Sequence, residues 1–225
     1  MRQCPKCKSE ELCKDGIAKH KERFRCKGCN FRFTVEHIGK PELLKRTALI
    51  LYLEGLGFRS IGRYLKISHV AVYNWIKEYG ERLDELRSSE GIEVVEMDEM
   101  HTYVSSKKIC WIWIAVDRHG QRFVNCVIGA RSTRVGEKLW KKIRGKAVGI
   151  VATDYRQPYE TFIPKEKHVP TKAGTYAAEG YNSLFRHFLA RLRRETKCYT
   201  KSHKMLLYSV LLLMSKWNKD IAILN

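Results

Sequence analysis

The sequence predicts an α/β domain of order βββαβαβα over residues 92–225, behind a small cysteine-rich module at 1–36 and an all-α segment at 41–87. Three observations predict this. Two Cys-x-x-Cys pairs stand in a polar stretch almost empty of aliphatic periodicity. Apolar residues recur at helical spacing between Leu44 and Tyr79. Beyond the polar stretch Arg87–Gly91, which reads as a linker, the pattern changes to strand-like runs separated by helices.

Composition narrows the partners. Lys plus Arg number 43 against 24 Asp plus Glu, a formal net charge of +19, and such an excess marks a polyanionic partner. No apolar run approaches the roughly 20 residues of a spanning helix, so nucleic acid is favoured over membrane. The start Met1-Arg2-Gln3-Cys4 has no apolar stretch that would direct secretion, and a cytoplasmic, nucleoid-associated location is expected. Cysteines in a reducing compartment, where they come in close pairs, read as metal ligands and not as disulfides.

Cys4-Pro5-Lys6-Cys7 and Cys26-Lys27-Gly28-Cys29 are separated by 18 residues, a spacing at which four thiolates can close on one structural Zn²⁺. A segment this short and polar has little else to fold around. Cys13 and His20 are alternative ligands that could replace a knuckle cysteine. The module reads as a zinc ribbon whose basic face touches DNA.

In the second segment Pro41 suits a first helical position, and Gly55 and Gly57 end the helix that follows. A short helix over about Ser60 to Leu65, a tight Lys66-Ile67-Ser68 turn and a helix capped by Ser68 complete a helix-turn-helix. Its core is Ile61, Leu65, Ile67, Val72 and Ile76, with Val72, Trp75, Ile76 and Tyr79 on one stripe of the last helix. That leaves His69, Tyr73, Asn74 and Lys77 outward as candidate DNA-reading residues. Asn reads adenine through two hydrogen bonds, and Lys or His meets guanine or phosphate.

The third segment opens with strands at about 92–98, 109–116 and 122–129. The second, Ile109 to Val116, is apolar on both faces and belongs at the sheet centre under helices on each side. A helix from about Ser132 to Ile143, a strand ending at Asp154, a short helix, a weak strand near Val169, and a long helix from Glu179 to Arg194 follow. A final apolar helix over about His203 to Trp217 packs across the domain. Asp98 and Asp154 sit on or at the end of strands and Glu179 opens a helix, as a ribonuclease-H-like fold would need to converge three acids on metal. Phosphodiester chemistry with two Mg²⁺ ions requires acidic oxygens from several elements, because the ions straddle the scissile phosphate. Asp98 would bridge both ions, and Asp154 and Glu179 would each complete one site, with Mn²⁺ as a substitute. Glu96, Glu99 and Asp117 are acids on or beside the same strands and compete for these roles.

On the last long helix, Glu179, Asn182, Arg186 and Arg193 share one stripe at spacings of three, four and seven. The stripe would turn Glu179 to metal and Asn182, Arg186 and Arg193 to DNA. Between Arg186 and Lys204 stand seven Lys or Arg residues against one acid, Glu195, a run expected to track a DNA backbone. No Gly-rich phosphate loop appears, so no nucleotide cofactor is implied.

The succession of a Cys-x-x-Cys ribbon, a helix-turn-helix, Glu96-Met97-Asp98-Glu99-Met100 and Thr153-Asp154-Tyr155 resembles the insertion-sequence-one family of DDE transposases. The resemblance is carried above all by Glu179-x-x-Asn182-x-x-x-Arg186-His187-x-Leu189-Ala190-Arg191-Leu192-x-Arg194-x-Thr196 with Lys201-Ser202. It spans essentially the whole chain, and the 24 residues between Asp154 and Glu179 match that family's short spacing. The family often joins its DNA-binding and catalytic portions by frameshifting, whereas here both lie in one frame. The resemblance implies a catalytic triad of Asp98, Asp154 and Glu179, with Arg186 as its basic neighbour. It implies binding of double-stranded DNA, both transposon ends and target, by a homodimer or higher multimer, with strand cleavage and then strand transfer by a 3′-hydroxyl. One departure is Ala177-Ala178 before Glu179, where a more polar or β-branched approach is expected. The alternative is a DNA-binding regulator or domesticated transposase whose third domain only dimerises.

Overall fold

The computed structural model describes residues 3–34, 40–83, 91–105, 108–154, 157–171 and 176–221. The chain forms two compact units, Met1–Leu44 and Lys45–Asn225. Most of the expected linker, and the boundaries expected near 36 and 87, fall outside the described residues.

The first unit is an antiparallel sheet of β1 (Leu12–Ala18), β2 (Lys21–Cys26) and β3 (Arg32–Thr34) in sequence order. Lys19 and His20 turn β1 into β2 with φ of 49° and 61°, the left-handed pair that a two-residue hairpin demands. Its apolar content is small. Phe24 is buried against Phe33, and Asp15 takes ion pairs from Arg23 and Arg32 at 3.2 and 2.9 Å.

Helices α1 (Glu42–Leu53), α2 (Phe58–Tyr64) and α3 (His69–Glu81) follow. Gly55, at φ +90°, closes α1, with Leu56 N–H returning to Leu51 O at 3.1 Å. Between α2 and α3, a Cβ on Gly62 would stand 2.8 Å from the Ile67 carbonyl, so only glycine permits so close a turn. Ser68 accepts from Val70 N–H at 3.2 Å and caps α3. Val72, Trp75, Ile76 and Tyr79 are all buried.

The sequence sets these helices apart as a domain, yet from Lys45 onward they share one compact unit with the α/β domain. Tyr52 donates to Ser209 at 2.7 Å, and Tyr208 fills the space a side chain at Gly80 would need. Both partners lie on α7 (His203–Trp217), the apolar final helix.

The α/β domain orders its strands β6-β5-β4-β7-β8. They are β4 (Val94–Val104), β5 (Lys108–Asp117), β6 (Arg122–Gly129), β7 (Ile150–Thr153) and β8 (His168–Pro170). The first three are antiparallel, whereas β7 and β8 run parallel to β4. With α4 (Thr133–Ile143), α5 (Gln157–Glu160) and α6 (Tyr176–Phe188) the order is the expected βββαβαβα, and α7 follows as the final apolar helix.

Alternation along β4 divides the two faces. Val95 and Met97 join Trp113, Leu139, Trp140 and Ile143 in the core beneath α4, while Glu96 and Asp98 face α6. β5 is buried on both faces, as its sequence implied. β4 runs six residues beyond the expected 98, because each residue to Val104 finds a register partner on β5. α6 stops at Phe188, where Leu189 takes extended backbone at φ −117° and ψ 107° before a 3₁₀ turn at Ala190–Leu192. The expected helix to Arg194 is thereby cut short, and Arg193 leaves the helical stripe.

Candidate active site and nucleic-acid interface

Parallel pairing of β4 and β7 matches Val94 with Ile150, Val95 with Val151 and Glu96 with Ala152. Carried two residues on, the same register sets Asp154 beside Asp98. Gly149 allows the approach, since a Cβ there would meet Glu93 O at 2.7 Å.

Both carboxyls are raised from 3.8 to about 6. For Asp98 burial is the main cause, reinforced by the charges of Glu99 and Glu179 and opposed by the Glu99 N–H and the Asn182 amide. For Asp154 burial again leads, the charges of Glu99 and Asp98 add to it, and Arg131 opposes. Glu179 stands exposed in the first turn of α6. Among the described residues, Asp98, Asp154 and Glu179 do not gather as three oxygens close enough to share a single ion; the one such group is formed by thiols.

The three neighbouring acids have structural partners. Glu96, 0% exposed, pairs with Arg118 at 2.5 Å and accepts from Ala178 N–H at 2.8 Å, anchoring the first turn of α6 one residue before Glu179. Ala178 is itself fully buried, which accounts for a small residue at the place where the sequence departs from the expected pattern. Glu99 takes Arg131 at 2.9 Å and the Tyr159 hydroxyl at 2.7 Å, and the Arg131 guanidinium lies 4.1 Å from the Trp111 ring centroid. Asp117 accepts from Gly120 N–H and pairs with Arg122, closing the β5–β6 turn.

Asn182 is read from sequence as facing DNA. In the structure it is 6% exposed and donates to Asp98 Oδ2 at 2.7 Å, while its Oδ1 is buried with no hydrogen-bond partner among the described residues. Helical spacing put it on the Glu179 side of α6 but carried no sign that this side turns inward. Arg186 is half-buried on α6, and Arg193, past the helix end, donates to His187 O at 3.3 Å. Arg191, part of the expected backbone-tracking run, is 7% exposed: it donates to Thr200 at 3.1 Å and lies 4.8 and 5.4 Å from the Phe58 and Tyr52 ring centroids.

On α3, His69 and Asn74 are exposed. Tyr73 is half-buried edge-on to Phe58, and Lys77 pairs with Glu81 at 3.6 Å. A cleft of about 480 Å³ at the α2–α3 turn is lined by Arg59, Arg63, Lys66 and His69. The three basic residues before His69 lie outside the DNA-reading set expected from sequence: Arg59 and Arg63, four apart, share one side of α2, and Lys66 stands in the turn beyond it at φ 52°.

In the first unit the Sγ atoms of Cys4, Cys7, Cys26 and Cys29 all lie within 4.8 Å of one another. Cys4 to Cys29 is 3.6 Å and Cys7 to Cys26 is 3.5 Å, near the edge of about 3.8 Å that a tetrahedron with Zn–S of about 2.3 Å requires. Both knuckles are built alike. Lys8 and Asn30, each at positive φ, return their N–H groups to Cys4 O and Cys26 O at 2.9 Å. The Cys29 N–H leads in drawing Cys26 down to about 6, whereas Cys7, although the Ser9 N–H lowers it, is pushed up to about 12 by the Cys29 and Cys26 thiols. Cys13 instead bonds Arg25 O, and neither it nor His20 belongs to the cluster.

A family model described as IS1 transposase matches residues 92–211, more than half of the chain. The chain belongs to the IS1 transposase family. Family relatives include the insertion element IS1 4 protein InsB of Escherichia coli (strain K12), 34% identical over 51% of this chain and 69% of its own length. The insertion element IS1 protein InsB of Shigella flexneri is 33% identical over 49% of this chain and 86% of its own. Among solved structures, the catalytic core domain of BIV integrase aligns with a TM-score of 0.36 at 15% identity, over 56% of this chain and 83% of that one. The Mos1 mariner paired-end complex aligns at 0.31 and 12% identity, over 82% and 80%.

Proposed function

We propose that this IS1-family protein is a DDE transposase that binds transposon ends, cleaves them with divalent metal, and joins the freed 3′-hydroxyl to a target. The observation that carries the reading is the pair Asp98 and Asp154, brought side by side by parallel pairing and both raised to about 6. Two carboxyls crowded at the edge of burial resist ionising together, and a dication relieves that cost. Hard carboxylate oxygens suit Mg²⁺ or Mn²⁺, and Asp98, Asp154 and Glu179 are the residues that would hold them. When bound, the ions supply charge stabilisation at the attacking and leaving oxygens of an in-line displacement.

The chain's own groups do the rest. Asn182 holds Asp98 Oδ2 and fixes its rotamer, Glu96 anchors the turn that carries Glu179, and Glu99 with Arg131 walls the Asp154 side. Arg186 and Arg193 are assigned to phosphates near the cut, and His69, Tyr73, Asn74 and Lys77 to the major groove of the end. The thiol cluster, with one structural Zn²⁺, makes the first unit a ribbon domain ahead of a ribonuclease-H-like catalytic domain. No helix among the described residues is long and apolar enough to cross a membrane, which suits a nucleoid-associated protein acting as a multimer on paired ends.

The test is a labelled transposon-end duplex with Mg²⁺, scored for nicking and joining beside a mobility-shift control. Asp98→Asn, Asp154→Asn and Glu179→Gln each abolish both steps while retaining end binding. Cutting at the normal rate by both Asp154→Asn and Glu179→Gln overturns the triad. If the unaltered protein never cuts with Mg²⁺ or Mn²⁺, a DNA-binding regulator is the better reading.

A further inference from the structure

The strand β6 is an edge of the five-stranded sheet, and a cleft of about 480 Å³ opens along it between α4 and α7. Its rim is cationic: Lys138, Lys141 and Lys142 from α4, His203 and Lys204 from the first turn of α7. No carboxylate stands among the described residues that line it. Lys204 pairs with Glu81 at 3.7 Å, but the three α4 lysines are exposed and make no ion pair among the described residues. The floor is apolar, formed by the Cys126–Ile128 stretch of β6. Lysine stems can lie on such a floor and leave the ammonium groups at the rim, an arrangement suited to a polyanion's backbone.

The register locates this cleft relative to the carboxylates. Asp98 pairs with Ile114, and Ile114 pairs with Cys126, so the floor lies two strands across from Asp98, roughly 10 Å at a spacing of about 4.8 Å per strand. It is also set off from the N-terminal end of α3, where His69 lies, although Lys77 shares Glu81 Oε1 with Lys204 at 3.6 and 3.7 Å. Glu81, the residue that meets the rim, is twelve residues past His69, about 18 Å along the helix at about 1.5 Å per residue. A backbone gripped here is therefore offset both from the phosphate at Asp98 and from the groove under His69.

Resting on the transposase reading, we infer that this cleft holds the phosphate backbone of a second duplex, the target, beside its point of joining. The lysines act as point charges without base preference, as insertion into varied sequence requires.

The experiment uses the full chain with Lys138→Gln, Lys141→Gln and Lys142→Gln combined. On random duplex DNA, the slope of log affinity against log salt should shrink by roughly 2 to 3, about one for each lost phosphate contact. End cleavage should stay within about twofold of normal, whereas joining to a target plasmid at about 0.1 M salt should fall about tenfold or more. Restoring the charges with the triple Lys→Arg variant should restore both slope and joining; failure to restore them would point to damage in α4 and overturn the inference. An unchanged salt slope also overturns it, and so does an equal loss of cleavage and joining, which would give the cleft to the end duplex. A chemistry-free arm separates this from failure of the transposase reading: Asp98→Asn protein already shifted by a labelled end should capture a second random duplex, and should lose that capture when the three lysines are neutralised. Retained capture overturns the assignment whether or not the protein cuts DNA.

Discussion

The side-chain amide of Asn182, on α6, donates to the Oδ2 of Asp98, on β4, at 2.7 Å, and no other described side chain donates to that carboxylate. A donor favours the ionised carboxyl, so the amide offsets part of the rise that burial imposes on Asp98. Removing it in Asn182→Leu should push the Asp98 carboxyl further up, moving the acid limb of the cleavage pH profile to higher pH and lowering cleavage below neutrality most of all. A donor bonded to a charged group contributes about 1.5 to 3 kcal/mol, so metal affinity should weaken by roughly 10- to 100-fold at fixed pH. End binding in mobility shifts should be unchanged. If Asn182→Leu binds DNA poorly but keeps a normal pH profile, the residue belongs on the DNA face that its sequence position suggested.

The raised carboxyls carry a stability consequence whose sign is fixed. Asp98 stands at about 6 when folded against 3.8 unfolded, so the folded protein holds that proton more tightly. Its favourable contribution is complete below about pH 4 and is lost as pH rises through about 6. For a largely buried group this difference is about 2 to 3 kcal/mol, and the contribution from Asp154, more open to solvent, is smaller. Metal-free Asp98→Asn should therefore melt above the unaltered protein at pH 7.5 and level with it at pH 4. Mg²⁺ should raise the melting temperature of the unaltered protein alone. Calorimetry showing equal melting at pH 7.5 would remove the case for a strained acid pair.

How much of this was legible from sequence depended on whether the signal was local. The order of strands and helices could be read because alternation and helical spacing are properties of short windows, and the Cys-x-x-Cys pairs carry their geometry in their own turns. Asp98 and Asp154 stood out as strand-end acids. What escaped were features decided across the fold. β4 continues to Val104 because β5 pairs with it, and α6 ends at Phe188 without Gly or Pro because the buried Leu189 turns the chain. Arg191 sits in a basic run that reads as solvent-facing, yet two aromatic rings from α1 and α2 cover it.

Arg191 yields a prediction opposite to that of its neighbours. Its contact with the Tyr52 and Phe58 rings ties the three-helix segment to the α/β domain, and desolvated cation–π contacts are worth about 2 kcal/mol. With the Thr200 hydrogen bond, Arg191→Ala should cost about 2 to 4 kcal/mol in urea unfolding. Arg191→Lys should recover little, because an ammonium lacks the flat face that stacks on the rings. The folded fraction should bind DNA with unchanged salt dependence. Lost DNA affinity without lost stability would return Arg191 to the DNA-facing run.

For the first unit, chelation should unfold residues 3–34 and abolish site-specific binding, because zinc on the thiol cluster would supply most of the folding energy of a sheet with so little apolar core. One zinc per chain should be found by elemental analysis and should vanish with Cys4→Ser and Cys26→Ser together. Zinc retained in that double variant would mean that Cys13 or His20 supplies ligands after all.

The helical segment should separate sequence reading from backbone holding. Asn74 is exposed on α3 with its amide available for a two-point contact with adenine, so Asn74→Ala should lose about 1 to 3 kcal/mol of discrimination at one base pair. Arg63 lines the cleft at the α2–α3 turn together with Arg59, Lys66 and His69, and its charge can meet a phosphate without reading a base. Arg63→Ala should weaken specific and random duplexes alike and reduce the salt slope by about one. Binding to a panel of single-base variants of the end, measured at two salt concentrations, distinguishes the two effects. Equal loss on all sequences for Asn74→Ala would move it to the backbone, and base-specific loss for Arg63→Ala would mean that the turn, and not the exposed face of α3, enters the groove.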